Sequence, residues 1–174
     1  MNIFLLRRFA VLFLTGLVLP LAGCSDPNQS NPSELAGYNY TDSYIAIFSV
    51  SNEGQRLEAG GSNIYPKKPG EQRSESGGAC CIGVPVHWRP DMRLVVRWRR
   101  DTKPYDDDRS GDQWLVAITK VPPYGTHTYG FWVHFLPDDR IRVQIQDDPA
   151  MPVKPADDDP YIVQGVVEQK VNPK

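Results

Sequence analysis

No stretch of this sequence repeats apolar residues every 3.6 positions for a useful length, which excludes an architecture built on amphipathic helices. Histidine and cysteine are scarce, with three of each in 174 residues. A zinc site needs three or four nitrogen or sulfur ligands converging on one point. Cys80, Cys81 and His87 would supply them only with one more ligand brought close, and adjacent cysteines seldom both ligate one ion. The expectation is no metal and no cofactor. There is no G-x-S-x-G elbow, no H-E-x-x-H and no phosphate-cradling glycine loop. The glycine-rich stretch before Cys80 is not followed by a helical pattern, so it lacks the helix N-terminus that anion binding uses. These absences argue against an enzyme and leave no catalytic residue to nominate. A basic excess is missing too: the net charge is −2 and no cationic stripe dominates, which excludes nucleic acid as the expected partner.

The N-terminus carries the most specific signal. Arg7 and Arg8 form a short positive region, and Phe9 to Ala22 is almost wholly apolar, broken by Thr15, Gly16 and Pro20. Those 14 residues suit the apolar core of an export signal and fall short of the roughly 20 that span a bilayer. The stretch ends Leu21-Ala22-Gly23-Cys24. This is the bacterial lipobox pattern, in which small residues admit the signal peptidase and the cysteine thiol takes a thioether-linked lipid. The reading is a signal peptide over residues 1–23 and lipidation at Cys24, with the domain facing the periplasm. Ser25 in second position, in place of Asp, favours the outer membrane, although Asp26 follows it.

Removing the signal leaves 151 residues, enough for one domain with a real core. The mature chain has 17 Lys and Arg against 21 Asp and Glu, a net charge of about −4. The acids clump at Asp106-Asp107-Asp108, Asp138-Asp139, Asp147-Asp148 and Asp157-Asp158-Asp159. Each clump reads as a solvated turn, and none has the alternating ligands and glycine of a calcium loop. With Cys24 assigned to lipid, Cys80 and Cys81 remain. Neighbouring cysteines close only a small ring, so a vicinal disulfide, two reduced buried thiols and pairing with another chain all stay open. Their apolar setting, between Gly77-Gly78-Ala79 and Ile82-Gly83-Val84, would raise a thiol pKa and argues against a Cys–His hydrolase.

Residues 24–37 are polar and rich in Pro and Ser and read as a flexible tether, followed by a single β-rich domain over 38–174. Tyr44 to Val50 is apolar on both faces, as in a central strand. Residues 51–79 read as a long irregular connection, with one short strand near Arg56 to Ala59. Val84 to Trp88 reads as an edge strand, since it holds Pro85. Met92, Leu94, Val96 and Trp98 alternate with Arg93, Arg97 and Arg99, which predicts a half-buried strand with a basic outer face. Trp114, Val116 and Ile118 alternate in the next. Phe131, Val133 and Phe135, then Ile141, Val143 and Ile145, flank a turn at Pro137-Asp138-Asp139 and predict a hairpin. A last strand falls within Tyr161 to Glu168. The four tryptophans are expected in the core, His87 partly buried, and His134 exposed or at a sheet edge. The fold class is all-β: an antiparallel sandwich or open barrel of about six to eight strands with long loops.

The segments Gly77-Gly78-Ala79-Cys80-Cys81-Ile82-Gly83-Val84-Pro85, His87-Trp88-Arg89-Pro90, Val96-Arg97-Trp98, Val121-Pro122-Pro123-Tyr124 and Val133-His134-Phe135-Leu136-Pro137 support a resemblance. Across about residues 40–147 the chain resembles a family of small bacterial lipoproteins classed as a domain of unknown function. Members of that family are often encoded beside type VI secretion phospholipase effectors. The resemblance implies an immunity protein that binds and neutralises such a phospholipase in the periplasm, with a structural role for the Gly-Gly-x-Cys-Cys motif. The candidate contact residues are Asp106, Asp107 and Asp108 in one loop and Tyr124, His127 and Tyr129 in another. The alternative role is that of a structural or assembly lipoprotein of an envelope or secretion complex.

Overall fold

A computed structural model describes residues 29–54 and 58–168. The signal peptide, Cys24 and the first residues of the expected tether lie outside that range. The chain is an all-β sandwich of two sheets. Among the described residues, seven strands have seven or more residues: β1 (Ser30–Asn39), β2 (Tyr44–Asn52), β5 (Ala79–Pro85), β6 (Arg93–Asp101), β7 (Asp112–Lys120), β8 (Gly130–Leu136) and β9 (Arg140–Gln146). Four are shorter: β3 (Glu58–Gly61), β4 (Ser74–Glu75), β10 (Val163–Gln164) and β11 (Val166–Val167). One sheet, here sheet A, runs β10-β9-β8-β1-β4, with β5 also paired to β1. The other, sheet B, runs β11-β7-β6-β2-β3.

The expected tether is corrected by β1. Residues 30–37 are strand, and Leu35 and Ala36 are buried. β1 pairs in parallel with β8, Leu35 opposite Phe131 and Asn39 opposite Phe135, and antiparallel with β4 and β5. Among the described strands this is the one parallel pair; the others are antiparallel, as expected for the sandwich.

The core lies where the alternating strands said it would for most of the chain. Phe48 and Val50 from β2, Leu94, Val96 and Trp98 from β6, Phe131, Val133 and Phe135 from β8, and Ile141, Val143 and Ile145 from β9 point between the sheets and are buried. Each such side chain contributes roughly 1.5–3 kcal/mol when removed from water. The β8–β9 hairpin turns at Pro137–Asp139, where Asp138 and Asp139 take positive φ.

β7 has the opposite phase from the one expected. Leu115, Ala117 and Thr119 face the core, while Trp114, Val116 and Ile118 face outward. Three bulky residues lost the interior to a smaller set because β7 pairs with β6 in a register fixed by Trp98 opposite Leu115 and Val96 opposite Ala117. Directly paired residues share a face, so the inward Trp98 and Val96 carry Leu115 and Ala117 inward. Of the four tryptophans, Trp98 is in the core and Trp88 packs at its margin; Trp114 and Trp132 stand on outer faces.

The expected last strand divides between the sheets. β10 pairs with β9 in sheet A and β11 with β7 in sheet B, one residue apart. The residue between them is Gly165, where a Cβ would run into the Trp98 ring. Gly61 is a second close approach, its missing side chain leaving room for the Phe48 ring, whereas Gly60 beside it faces open space. Gly61→Ala is expected to destabilise by about 1–3 kcal/mol through overpacking, seen as a lower urea midpoint. Gly60→Ala should stay within about 0.5 kcal/mol in the same titration.

Candidate functional site

The two ends of the sandwich carry different residues. At one end β1, β6 and β8 begin and β2, β7 and β9 finish; at the other lie the β6–β7 loop and the β8–β9 turn. Asp106, Asp107 and Asp108 belong to the second end, exposed in the β6–β7 loop. Lys103 Nζ pairs with Asp108 at 2.6 Å and, with the Ser110 hydroxyl and amide, holds that carboxyl down at about 2. Tyr124, His127 and Tyr129 belong to the first end, in the segment after β7. Nine residues of β7 separate the two loops, roughly 27 Å of extended strand, so they do not form one surface.

Within the second set the roles also differ. His127 and Tyr129 are exposed. Tyr124 is half-buried, and its hydroxyl donates to the Pro85 carbonyl at 2.8 Å. Trp88 Nε1 donates to the Val121 carbonyl at 2.9 Å. Tyr124 and Trp88 thus strap the segment after β7 to β5 and its following loop. His87 is exposed, not partly buried.

Cys80 and Cys81 are joined as a vicinal disulfide across a cis peptide bond. Both are exposed, which corrects the buried apolar setting expected for them. They sit where β5 shifts register against β1, between the pairs Ser33–Ile82 and Leu35–Ala79. Two residues therefore oppose one, Glu34, in a β-bulge. Beside this bulge a cleft of about 370 Å³ opens between β3 and β5. Val50, Leu94, Val121, Phe131 and Ile145 line it, and Cys81 stands among its margins.

The outer face of sheet A is covered by aromatic rings and a polar chain. Tyr38 stacks on Trp132 at 4.8 Å, and Arg73 lies over the Tyr38 ring at 3.9 Å. His134 is fully buried here, against the expectation of an exposed or edge position, and stacks on Tyr40. Its Nε2 is 3.2 Å from Gln144 Oε1, an acceptor that also takes a hydrogen bond from Arg142. Nε2 therefore carries the proton, and Nδ1 accepts the Tyr40 hydroxyl at 3.2 Å. The chain continues through Gln144 to Gln146 and Asp148. Arg142 is paired with Asp159 at 3.3 Å, which draws the segment after β9 over the sheet.

The outer face of sheet B carries arginines, a tryptophan and aliphatic side chains. Register puts Arg99 beside Trp114, Arg97 beside Val116 and Val95 beside Ile118 across β6 and β7, with Ile47 of β2 beside Arg99 and Val166 of β11 beside Val116. Ile47, Ile118 and Val166 are 45%, 55% and 59% exposed. The Arg97 guanidinium stacks over Trp114 at 4.3 Å, and its Nη2 donates to Glu168 at 2.6 Å. The arginines of this face are legible in the sequence, but its aliphatic half is not, because both faces of β7 are apolar and alternation alone does not say which is inward. The signal that would have found it is the pairing of β7 with the unambiguous β6. Among the described residues, no three His, Cys, Asp or Glu side chains gather as metal ligands.

Burial, then the Arg142 charge, pushes the His134 pKa from 6.5 down to about 3. The unfolded chain takes up this proton near pH 6.5 and the folded one refuses it until about pH 3, so stability is lost as pH falls through that window. The expected slope from this residue is up to roughly 1.4 kcal/mol per pH unit. Urea titrations between pH 7 and 4 should show it, and His134→Gln should flatten it even if the variant is less stable at pH 7.

A family of proteins of unknown function, DUF3304, matches residues 38–143, from the end of β1 into β9. No curated protein and no solved structure matches the chain. With well over half its length inside that match, the chain belongs to the DUF3304 family.

Proposed function

We propose that this is a lipid-anchored envelope protein that binds and neutralises a secreted phospholipase, using the outer face of sheet B as its contact surface. The observation that carries the binding role is the makeup of that face. Tryptophan and arginine are the residues that dominate the energy of protein interfaces. Here Trp114, Arg97 and Arg99 are grouped with the exposed aliphatics Ile47, Ile118 and Val166 on one face of sheet B. Contiguous apolar surface of this kind usually marks an interaction site. The matching face of sheet A is occupied by the chain's own loops.

The identity of the partner rests on the resemblance to immunity lipoproteins, and the anchor rests on the Leu21-Ala22-Gly23-Cys24 pattern. The two fit together physically. A phospholipase works at the membrane surface, and an inhibitor held there by lipid meets it at a raised effective concentration. Inhibition needs only that bound protein keep the enzyme from its substrate, so no catalytic group is required of the inhibitor. Arg97 is already paired with Glu168, so attraction toward an acidic surface of the partner falls to Arg99, and charge of opposite sign speeds the encounter.

The test is titration of the full-length protein in detergent against a type VI secreted phospholipase from the same cells, followed by phospholipid hydrolysis in vesicles. Loss of activity at one-to-one stoichiometry is the expected result. Ile118→Asp and Ile47→Asp should each weaken binding at least tenfold, while Tyr105→Ala in the far loop leaves it unchanged. Unimpaired hydrolysis at saturating protein, with capture of envelope components instead, would overturn the reading and favour a structural or assembly role.

A further inference from the structure

We propose that the cleft between β3 and β5 holds an acyl chain borne on Cys24, an inference that rests on the reading of that residue as lipidated. The described chain enters the fold at the rim of this cleft. The Val86 amide donates to the Gln29 carbonyl at 2.9 Å, Ser30 pairs with Pro85, and Asn31 pairs with Val84. Pro85 and Val84 are themselves part of the cleft wall. Cys24 lies five residues before Gln29, a reach of at most about 17 Å at full extension. Its lipid is therefore confined to the neighbourhood of this opening, whatever path the intervening residues take.

The chemistry of the cleft suits a hydrocarbon. Val50, Leu94, Val121, Phe131 and Ile145 supply aliphatic and aromatic wall, and the Met92 thioether adds an adaptable surface. The acidic group among the lining residues is Glu58, exposed on edge strand β3. Among the described residues the wall offers a charged headgroup no cation, whereas each methylene that enters leaves water. The 370 Å³ volume falls within the ordinary range of ligand sites. A docked chain would seat this end of the sandwich against the bilayer and leave the outer face of sheet B upright and accessible.

The experiment uses the full chain, produced in a bacterium that processes lipoproteins and fed an alkyne-tagged fatty acid. A diazirine-bearing amino acid replaces Glu58 in one preparation and Tyr105, at the far end of the fold, in the other. Both positions are exposed, so neither replacement disturbs the core. After illumination, mass spectrometry reads which peptide carries the tag and what position 58 has captured. The expected result is a crosslink from position 58 to the acylated Cys24 peptide, at least tenfold above that from position 105. A tagged Cys24 with equal or absent crosslinking, or with position 58 joined only to free phospholipid or to the apolar residues 9–22, overturns the docking and leaves the anchor standing. An untagged Cys24 removes the lipoprotein reading and the docking with it.

Discussion

The seating of β1 in the middle of sheet A governs the rest of the molecule. This strand pairs with β8 on one side and with β4 and β5 on the other, and from Leu35 to Asn39 it is buried on both faces. Leu35 points into the space between the sheets, while Tyr38 and the following Tyr40 point outward under the loops. Without β1, the β8–β9 hairpin would lose its inner neighbour and β5 would have no partner in its sheet. The disulfide bulge, the cleft beside it and the aromatic cover of sheet A all take their positions from this one element. A strand so placed also joins the sandwich's interior directly to the segment that precedes it.

Most of the core was legible because alternation along a strand is set by its own residues. β6, β8 and β9 each present an unbroken apolar file on one side, and the structure buries those files. β7 was misread because both of its faces are apolar, so periodicity alone gives no preference; its partner decides. β1 was hidden by composition. Ser30, Pro32 and Ser33 look like linker, and a strand that pairs mostly with distant residues leaves little local trace. His134 was misplaced for a related reason. It does stand opposite Phe131, Val133 and Phe135, but loops far away in sequence cover that side of the sheet.

The candidate site divides along the same line. The positions of Tyr124, His127 and Tyr129 at one end and Asp106, Asp107 and Asp108 at the other follow from counting strands. The Arg97–Trp114 stack and the cleft at Cys81 arise from register and from the spacing of two sheets, which no single segment encodes. The contrast between the two outer faces is the main functional lesson of the fold. One sheet is insulated by the chain itself, with its histidine held neutral and its arginine neutralised by Asp159. The other carries Arg97, Arg99, Ile47, Ile118 and Val166 on its outer surface.

The crossing at Gly165 has a mechanical consequence. β10 and β11 hydrogen-bond to different sheets with a single residue between them, and the Gly165 amide is tied to the Asp139 carbonyl at 2.8 Å. Two stacked sheets in contact mainly through side chains are free to slide by small amounts. Here a covalent stitch of a single residue joins their margins at β9 and β7. Sliding of one sheet over the other at that margin would therefore have to break the β10 or the β11 pairing.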